Sequence, residues 1–526
     1  MWRAWGALLV AACGVGGGSP GSRVPPDAGD PGAAADAAAD PGADPAMAHA
    51  RADAATQALL LRFWRGDVGY LADLSPDPEG QPTGYWTFAQ ALDAVLDAAA
   101  RHPGGSFAGW IETLYLAQEA RGWQSNFFDD QNWMALALLR AHEMTGDARY
   151  LERARVLALE VVGAWDQTCC GDRPGGVWWD RAHTQKATAV NAGAALTAAR
   201  MAMATGDQAW LEQARRIYRY WRDEMVDPDS HQVYDHIESD GSVVKWRFTY
   251  NEGLMIGAAV AMWQATGEAG YLDDAHAIAS YLVYQEVAPT PLGDILVESG
   301  ACSGDCRQFK GIAYRYLAEL ERVASDGPRY RAVLDASAYS LWEIARDPDT
   351  NMFGVDWASA PSAGVPVSIQ QQSSATMALN LHAALLDPAP DGAPASTVVQ
   401  AEDAVLRGVG VEASHRGFDG WGYAAGWHAE GQRVDFAVEV PAEGDYTLGF
   451  RYAAGAGDAL RAISIDGAHL VDAERFTATS GWDDYQEVTE VAHLGAGRSV
   501  VTVAYRDALG SDGYLNLDRL SLDALP

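Results

Sequence analysis

The chain has 526 residues, of which 48% are hydrophobic and 10% aromatic, a composition that excludes a disordered protein and suffices for more than one packed core. The formal net charge of -34 at pH 7 argues against a nucleic-acid backbone or an anionic membrane surface as partner. The 19 Trp and 21 Tyr favour a neutral ligand with flat apolar faces, such as a sugar.

The N-terminus reads as an export signal. An apolar run follows Met1-Trp2-Arg3 and ends in small residues directly before Cys13, which is typical of bacterial lipoprotein signals cleaved ahead of a lipidated cysteine. We therefore expect residues 1–13 to be the signal, Cys13 to be lipidated, and the protein to be exported and held at the outer cell surface. An ordinary signal peptide with an incidental cysteine, or a misassigned start, are the alternatives. No later stretch reaches the ~20 apolar residues of a membrane span.

Residues 14–46 consist mostly of Gly, Ala, Asp and Pro, and this composition predicts a flexible acidic linker. From Met47 the pattern becomes helical and repeats. Similar turns lie 60 and 61 residues apart, and a fourth follows at a comparable interval: Thr145-Gly146-Asp147, Thr205-Gly206-Asp207, Thr266-Gly267-Glu268 and Ser325-Asp326-Gly327. We interpret each of them as the turn of a helical hairpin.

Two kinds of helix alternate along this region. The helix before each turn is apolar on nearly every face, as in 187–204, whereas the helix after it has one polar face, as in the stretch that begins at Tyr150. Six helices of each kind can be counted, and six inner helices surrounded by six outer ones make an (α/α)6 barrel. The sequence therefore predicts this all-α fold over residues 47–387.

Asp129 and Asp130 stand where a loop ends and one of the apolar helices begins. Two adjacent acids at the edge of an apolar interior raise the pKa of one partner, and a neutral acid beside an ionised one is what cleavage of a glycosidic bond requires. The alternative is structural, because Asp is a common helix N-cap and a second acid in the first turn suits the helix dipole.

Other polar clusters precede or open the inner helices, whose N-termini share one face of such a barrel. They contain Thr184 to Lys186, Thr249 to Glu252, Asp305 to Lys310 and Gln370 to Gln372, and aromatic residues crowd the same loops. A cleft with convergent polar groups is the default site for a ligand. We predict a catalytic pair, Asp129 and Asp130, and a set of substrate contacts: Trp178, Trp179, Tyr250, Asn251, Glu252, Asp305 and Lys310.

Four cysteines remain after Cys13, an even number that favours disulfides in an exported protein. They form two close pairs, Cys169 with Cys170 and Cys302 with Cys306. Three pairings are open. Cys302 and Cys306 could close a small loop, whereas a bond between neighbours in sequence would be strained. A zinc site is disfavoured because no His lies at ligand spacing.

Residues 388–397 have the composition of a linker, and from Val398 the hydrophobic period changes to two. Alternating runs such as Val434 to Val440 and Tyr446 to Tyr452 are separated by Gly-rich turns. This pattern predicts a second domain over residues 398–526, an all-β sandwich of the jelly-roll type.

Four motifs give the helical region a specific resemblance. They are Phe128-Asp129-Asp130-Gln131-Asn132-Trp133, Gly175-Gly176-Val177-Trp178-Trp179, Thr249-Tyr250-Asn251-Glu252-Gly253 and Phe309-Lys310-Gly311-Ile312. In this order they resemble glycoside hydrolase family 76, endo-α-1,6-mannanases and related transglycosidases on an (α/α)6 barrel. The resemblance implies that Asp129 is the nucleophile and Asp130 the general acid/base of a retaining mechanism that needs no cofactor. It also implies structural cysteines.

The β region is similar to carbohydrate-binding modules of families 6 and 35 at both of its ends, in Val399-Gln400-Ala401-Glu402 and Gly513-Tyr514-Leu515-Asn516-Leu517-Asp518. The resemblance implies a structural Ca²⁺ held by Gln400, Glu402 and Asp518, whose oxygen atoms are the ligands this ion prefers. It also implies loop residues that contact sugar: Trp421, Tyr423, Trp482 and Asn516. Packing without sugar contact is the alternative for the aromatic residues.

These expectations combine into an exported, lipid-anchored and monomeric endo-α-1,6-mannanase that acts on α-mannan and carries a sugar-binding module. The alternatives are a transglycosidase with the same two aspartates and a non-catalytic surface protein that binds glycans. The presence of both acids speaks against the last of these.

Overall fold

The architecture comes from a computed structural model of the chain, which describes residues 44–77, 79–300, 302–323, 330–387, 398–419, 422–440, 442–509 and 515–525. Several sequence predictions lie outside these residues. They concern the signal with Cys13, the two linkers except residues 44–46, the turn at Ser325-Asp326-Gly327 and the sugar contact of Trp421.

Twelve α-helices occupy the described part of residues 44–387. Their bounds are Pro45–Phe63 (α1), Tyr85–Arg101 (α2), Ala108–Arg121 (α3), Phe128–Thr145 (α4), Ala148–Gly163 (α5), Thr188–Thr205 (α6), Gln208–Met225 (α7), Thr249–Thr266 (α8), Gly270–Gln285 (α9), Cys306–Val323 (α10), Arg331–Glu343 (α11) and Ile369–Leu386 (α12). Within the described residues, no helix is long and apolar enough to cross a membrane.

The even-numbered helices form a closed ring, because each packs against the next and α12 packs against α2. The odd-numbered helices lie outside it and pack on their even-numbered neighbours. Since every odd-numbered helix brings the chain back, the even-numbered helices run in the same direction. Their N-termini therefore meet at one face of the ring, which we call the cleft face.

Small residues allow the ring helices to approach closely. A Cβ atom on Gly253 of α8 would lie 2.7 Å from the Ala313 Cα of α10, and one on Gly311 of α10 would lie 2.7 Å from the Ser374 Cα of α12. Real Cβ atoms do not tolerate such contacts, so glycine is required where these backbones touch.

The repeated turns connect the helices as the sequence predicts. Gly146 and Gly206 end α4 and α6 in the left-handed conformation, with φ of 69° and 70°. The aspartate that follows each glycine caps the next helix: Asp147 accepts a hydrogen bond from the Arg149 N–H, and Asp207 accepts one from the Ala209 N–H.

The loops of the helical region contain short strands. They pair as hairpins or small sheets, with bounds Trp64–Arg65 (β1), Tyr70–Leu71 (β2), Leu74–Ser75 (β3), Gln185–Ala187 (β4), His236–Glu238 (β5), Val243–Val244 (β6), Val287–Thr290 (β7), Gly293–Leu296 (β8), Arg346–Asp347 (β9), Met352–Phe353 (β10) and Val367–Ser368 (β11).

The C-terminal region contains eleven described strands: Val398–Gln400 (β12), Val405–Arg407 (β13), Gly410–Glu412 (β14), Tyr423–Ala425 (β15), Arg433–Val440 (β16), Gly444–Ala453 (β17), Ala459–Ile465 (β18), Ala468–Phe476 (β19), Gln486–Leu494 (β20), Gly497–Ala504 (β21) and Asn516–Ala524 (β22). Short 3-10 helices occur at Ala401–Asp403 and Asp507–Leu509. The region is thus a β-sheet domain, as predicted.

The strands form two antiparallel sheets. One has the order β14-β15-β22-β17-β20, with β12 also paired to β22, and the other has the order β13-β16-β21-β18-β19. The predicted alternation is observed, since Val434, Phe436 and Val438 of β16 are all buried. Across the two sheets, the rings of Tyr452 and Phe476 meet edge to face at 5.0 Å, so the apolar faces of the sheets pack together.

The outer helix α3 contacts the β region through buried groups. The fully buried indole of Trp110 donates a hydrogen bond to the Glu402 carbonyl at 2.7 Å, and the hydroxyl of Thr113 accepts one from the Leu406 N–H at 3.1 Å. The β region therefore packs directly against an outer helix of the helical region.

Both close cysteine pairs are bonded, Cys169 to Cys170 and Cys302 to Cys306. This pairing is one of the three that the sequence leaves open. The bond between Cys302 and Cys306 closes the small loop at the start of α10.

Candidate active site

The two adjacent aspartates lie in the first turn of α4, at the cleft face. The helix is preceded by Phe127 as N-cap residue, with no side-chain cap, so neither aspartate is the N-cap. The Trp179 carbonyl accepts a hydrogen bond from the Phe128 N–H at 2.8 Å, and this contact fixes where the helix begins. The acids therefore stand beside the helix N-terminus without serving to cap it.

The two carboxyl groups have few polar partners. Asp130 Oδ2 accepts a hydrogen bond from the Ser125 hydroxyl at 2.6 Å. Asp129 Oδ1 is buried, and no hydrogen-bond partner for it is found among the described residues. No Lys or Arg of the described residues forms an ion pair with either acid. An acid pair without a counter-cation is costly for the fold, and such pairs concentrate at functional sites.

Burial raises the pKa of Asp129 well above its usual range; the charge of Asp130 adds to this rise, and a hydrogen bond from the Trp179 side chain opposes it. Burial also raises the pKa of Asp130 to about 6, opposed by the Ser125 hydroxyl and assisted by the charge of Asp305. The sequence predicts one neutral acid beside an ionised one. Because both pKa values are raised, we treat the proton as shared by the pair.

Tyr250 and Asn251, in the first turn of α8, are predicted substrate contacts, and the structure connects both to Asp235. The carboxylate of Asp235 accepts a hydrogen bond from the Tyr250 hydroxyl at 3.0 Å and from the Asn251 amide at 3.3 Å. Burial raises the pKa of Tyr250 well above its usual range, and the charges of Asp235 and Asp129 add to this rise. The Tyr250 hydroxyl therefore lies near the aspartate pair as a fixed donor.

Asp235 and Ser125 are site residues that the sequence does not single out. Asp235 also contacts the Nδ1 atom of His236 at 2.7 Å, and hydrogen bonds to Asp235 and Glu238 raise the pKa of His236 against the opposing effect of burial. The only available signal for Asp235 is an acid next to a histidine before a short hairpin. The signal for Ser125 is weaker still, a serine in the loop that leads to α4.

Asp305 and Trp179 lie close to the catalytic candidates. Asp305 is exposed just before α10, its carboxylate accepts a hydrogen bond from the Gln370 amide at 3.0 Å, and its charge acts on Asp130. Trp179 is half-buried and its ring packs at 4.7 Å against Phe127, which is 37% exposed. These two predicted substrate contacts border the cleft.

Two other predicted substrate contacts, Trp178 and Lys310, have protein partners. The Trp178 indole donates to Asp166 at 3.1 Å and its ring stacks on His183 at 4.8 Å. The ammonium of Lys310 donates to the Val355 carbonyl at 2.8 Å. Both side chains are buried, so their contact with substrate stays a prediction.

Glu252 is also fully buried, and its carboxylate accepts a hydrogen bond from the Val233 N–H at 2.9 Å. Burial raises its pKa well above the usual range, and the neighbouring Glu286 adds to the rise. The carboxylate of Glu252 packs against other protein groups, so its contact with substrate also stays a prediction.

In the β region, two of the predicted sugar contacts are distinguished by their exposure. Trp482 is half-buried and its ring stacks on His415 at 5.9 Å, beside the turn that contains Gly455. Tyr423 is fully buried, so it has no ring face for a sugar, and the structure does not support its predicted contact. Asn516 is 5% exposed, and its amide nitrogen has no hydrogen-bond partner among the described residues.

Of the predicted calcium ligands, Glu402 and Asp518 are fully buried, and Gln400 is half-buried with a buried Oε1 atom. Gln400 Oε1 has no hydrogen-bond partner among the described residues, Glu402 accepts a hydrogen bond from the Gly422 N–H at 3.3 Å, and Asp518 accepts one from the Asp419 N–H at 3.0 Å. Such a donor set fits a hard cation. Asp518 is already ion-paired with Arg451, and the described residues hold no cluster of three acidic, His or Cys side chains suited to a metal.

A closed helical ring with an uncompensated acid pair at its cleft face, joined to a β-sheet domain, defines a carbohydrate-active enzyme of the glycosidase class. The comparisons agree with this class. Residues 47–391 match the family model described as glycosyl hydrolase family 76, and residues 397–525 match carbohydrate-binding module family 35. The chain belongs to glycoside hydrolase family 76.

Individual relatives agree with the family. The chain is 29% identical to the GH76A alpha-1,6-mannanase from Salegentibacter sp. HEL1_6, with a TM-score of 0.58 over 64% of this chain and 99% of that one. An inactive variant of that enzyme, with two neighbouring aspartates replaced by asparagine, is in complex with alpha-1,6-mannotriose; it aligns with a TM-score of 0.57, 28% identity and the same coverage.

The chain spans less than two thirds of the length of the first curated relatives that it matches. It is 25% identical to the mannan endo-1,6-alpha-mannosidase DCW1 of Candida glabrata over 52% of the chain and 64% of that protein. A shorter match at 36% identity, to a cycloisomaltooligosaccharide glucanotransferase of Niallia circulans, covers 25% of the chain and 13% of that enzyme. The family match and the similarity to mannan-cleaving enzymes show that the chain is a glycoside hydrolase.

Proposed function

We propose that the chain hydrolyses internal α-1,6-mannosidic linkages of mannan by a retaining double displacement, on an (α/α)6 barrel that carries a jelly-roll module. The observation that carries this proposal is the half-buried pair of Asp129 and Asp130 in the first turn of α4, without a counter-cation among the described residues. The solved relative whose neighbouring aspartates are replaced by asparagine in an inactive complex with alpha-1,6-mannotriose supports it.

In the first step, Asp129 attacks the anomeric carbon while Asp130 gives its proton to the departing glycosidic oxygen. The carbon–oxygen bond of the linkage breaks, and an ester bond forms between the sugar and Asp129. In the second step, Asp130 takes a proton from water, the water oxygen attacks the anomeric carbon, and Asp129 leaves as a carboxylate. Atoms and charge balance over the two steps.

The shared proton of the pair suits this sequence. An anomeric carbon that gains positive charge stabilises the ionised form of the carboxyl that faces it, and a glycosidic oxygen accepts a hydrogen bond from a neutral carboxyl. Bound substrate thus draws the proton from Asp129 to Asp130. A retaining pair needs its carboxyl groups only ~5 Å apart, and neighbours in a helix turn can meet this requirement.

The test is product analysis on linear α-1,6-mannan, followed by NMR. We expect internal cleavage with the α anomer formed first, and a first-formed β anomer would overturn the retaining assignment. Asp129→Ala should abolish turnover. Asp130→Ala should still form the glycosyl-enzyme on an activated aryl mannoside and be partly rescued by azide, because only proton transfer is missing.

Transglycosylation is the second candidate, since the same ester intermediate can be attacked by a sugar hydroxyl in place of water. The match to part of a glucanotransferase, over 25% of this chain and 13% of that enzyme, supports this second candidate. With linear mannan oligosaccharides supplied as acceptors, products longer than the substrate would support transfer, whereas a steady fall in chain length would support hydrolysis.

We further propose that the protein is exported, lipidated at Cys13 and monomeric, and that Gln400, Glu402 and Asp518 hold a structural Ca²⁺ in a sugar-binding module. The signal-like N-terminus supports export, and the buried oxygen donors support the cation. Cys13→Ser should release the protein from the membrane fraction. Added Ca²⁺ should raise the melting temperature of the β region and a chelator should lower it.

A further inference from the structure

A cavity of about 450 Å³ opens between the N-termini of α10 and α12. This volume is within the roughly 300–1,000 Å³ range of small-molecule pockets. Its polar lining includes Arg307 and Lys310 from α10, Gln371 from α12, and the acids Glu298 and Asp356 from neighbouring loops. Because both helices belong to the ring, the cavity opens at the cleft face.

The cavity adjoins the aspartate pair but is separate from it. Neither Asp129 nor Asp130 lines it. Asp305 lies two residues before the lining residue Arg307, and its charge acts on Asp130; its carboxylate is held by Gln370, the neighbour of Gln371. The hydrogen-bonded Asp305 and Gln370 thus stand between the cavity and the bond-cleaving acids.

The lining presents both hydrogen-bond donors and acceptors. The Lys310 ammonium is buried and has a hydrogen bond to the Val355 carbonyl, and Arg307 Nε has no hydrogen-bond partner among the described residues. Glu298 already accepts hydrogen bonds from Thr249, and Asp356 from Ser359, so only the remaining lone pairs of these two carboxylates can accept from a ligand. Val365 and Pro366 add apolar walls. Two cations facing two acids leave little net charge.

This chemistry fits a neutral pyranose, whose hydroxyls donate and accept at once, better than an ion. The two backbone sugars that flank the cleaved bond must contact the aspartates, whereas neither aspartate lines this cavity. We propose that the cavity binds a mannosyl side chain carried by the α-1,6 backbone beside the cleavage site. This inference rests on the proposed mannanase function and adds that branched mannan is a substrate.

The test fills the cavity from its rim. Val365, which is 60% exposed, is replaced in Val365→Trp, and the matched control is Val491→Trp on β20, where Val491 is 56% exposed. The substrates are a linear α-1,6-mannan oligosaccharide and the same backbone with single mannosyl branches. We expect the wild type to cleave both. Val365→Trp should keep its kcat/KM on the linear substrate within about twofold and lose about tenfold on the branched one, while Val491→Trp changes neither.

A second variant removes a donor in place of adding bulk. Arg307→Gln should weaken binding of the branched oligosaccharide about tenfold or more relative to the linear one, as expected for a lost hydrogen bond from a charged group. This affinity is measured by calorimetry in the Asp130→Asn background, so it does not depend on turnover.

Equal losses on both substrates would make the cavity a backbone subsite, and no loss from either variant, or no cleavage of branched substrate by the wild type, would remove the proposal. Absence of wild-type activity on linear mannan would instead refute the proposed function. The calorimetric comparison would then still decide whether the cavity prefers a branched glycan.

Discussion

Asp130 in the helical ring is half-buried and Asp518 in the β region is fully buried. Burial raises the pKa of both acids to about 6, yet their neighbours are opposite in kind. Asp130 stands beside a second acid, Asp129, and has one hydroxyl donor. Asp518 is held by the guanidinium of Arg451 and by a backbone N–H. A raised pKa by itself therefore does not identify a catalytic acid.

The two carboxyl groups differ in whether they can transfer a proton to a ligand. An acid near a second acid, at the face where six helices begin, can pass a proton to a ligand, because no fixed cation holds its charge. A buried acid paired with a guanidinium is held in its ionised form, and its role is structural. The pair at α4 is thus poised for chemistry, and Asp518 fixes the start of β22.

The largest effect is expected from removing the proton donor. Asp130→Asn should lower kcat/KM on linear mannan oligosaccharide by about 10³-fold, within the range of general acid–base catalysis. Asp518→Asn is the matched control and should keep the activity of the folded protein within about twofold. An equal loss in both variants, measured at a temperature where circular dichroism shows each to be folded, would contradict the contrast between the two acids.

The next effect concerns stability. Arg451→Met leaves Asp518 buried without its cation, which should cost about 3–5 kcal/mol of unfolding free energy. The control is Arg475→Met, whose partner Asp458 forms an exposed pair with Arg475 66% exposed, and this variant should cost less than about 1 kcal/mol. Urea unfolding followed in the β region measures both. Similar costs would mean that Asp518 does not depend on Arg451.

The pH dependence of stability tests the protonation of the acid pair. The folded pKa of Asp130, about 6, lies above its unfolded value of 3.8, so the folded state binds more protons in this interval. The unfolding free energy of the wild type relative to Asp130→Asn should therefore rise as pH falls from 7 to 4, by up to about 2 kcal/mol, and stay constant below pH 4.

Urea titrations of the two proteins at several pH values give this difference. A difference that falls toward low pH would show that the pKa of Asp130 is lowered in the folded state. The Asp129→Asn protein serves as control. If the two acids share one proton, the unfolding free energy of the wild type relative to Asp129→Asn should change with pH about as much as it does relative to Asp130→Asn.

The smallest effect is expected for sugar binding by the β region. Trp482→Ala should weaken retention of the Asp130→Asn protein on a mannan gel about threefold to tenfold, since an aromatic contact is worth roughly 0.5–1.5 kcal/mol. Val491→Trp on β20 should leave retention unchanged. Unaltered retention of Trp482→Ala would assign this ring to packing alone.

Features encoded locally could be predicted from the sequence. Gly146 and Asp147 specify the end of one helix and the cap of the next, and the two-residue period of β16 specifies its buried face. The position of Asp129 and Asp130 at a helix start follows from the same local signals. Each of these features depends on residues within a few positions of one another.

Features created by distant contacts could not be predicted. Asp235 joins the site only because the loop before α8 brings it to Tyr250. Ser125 is close to Asp130 in the chain, but a serine in a loop gives no signal of its hydrogen bond to that acid. Tyr423 has the residue type of a sugar platform, but His415, Phe418 and Tyr485 pack around its ring, and the side chain is fully buried. Likewise Glu252 is polar by type and enclosed by its contacts with Val233 and Glu286.

The contact of Trp110 with Glu402 limits the distances that the sugar-binding module can adopt from the cleft. A module on a flexible linker occupies many positions around the cleft and can therefore bind glycan chains of many lengths together with it. A module seated on α3 by buried hydrogen bonds keeps its sugar site at one distance from Asp129 and Asp130. For the proposed mannan substrate, we expect only a chain long enough to bridge that distance to bind at both sites at once.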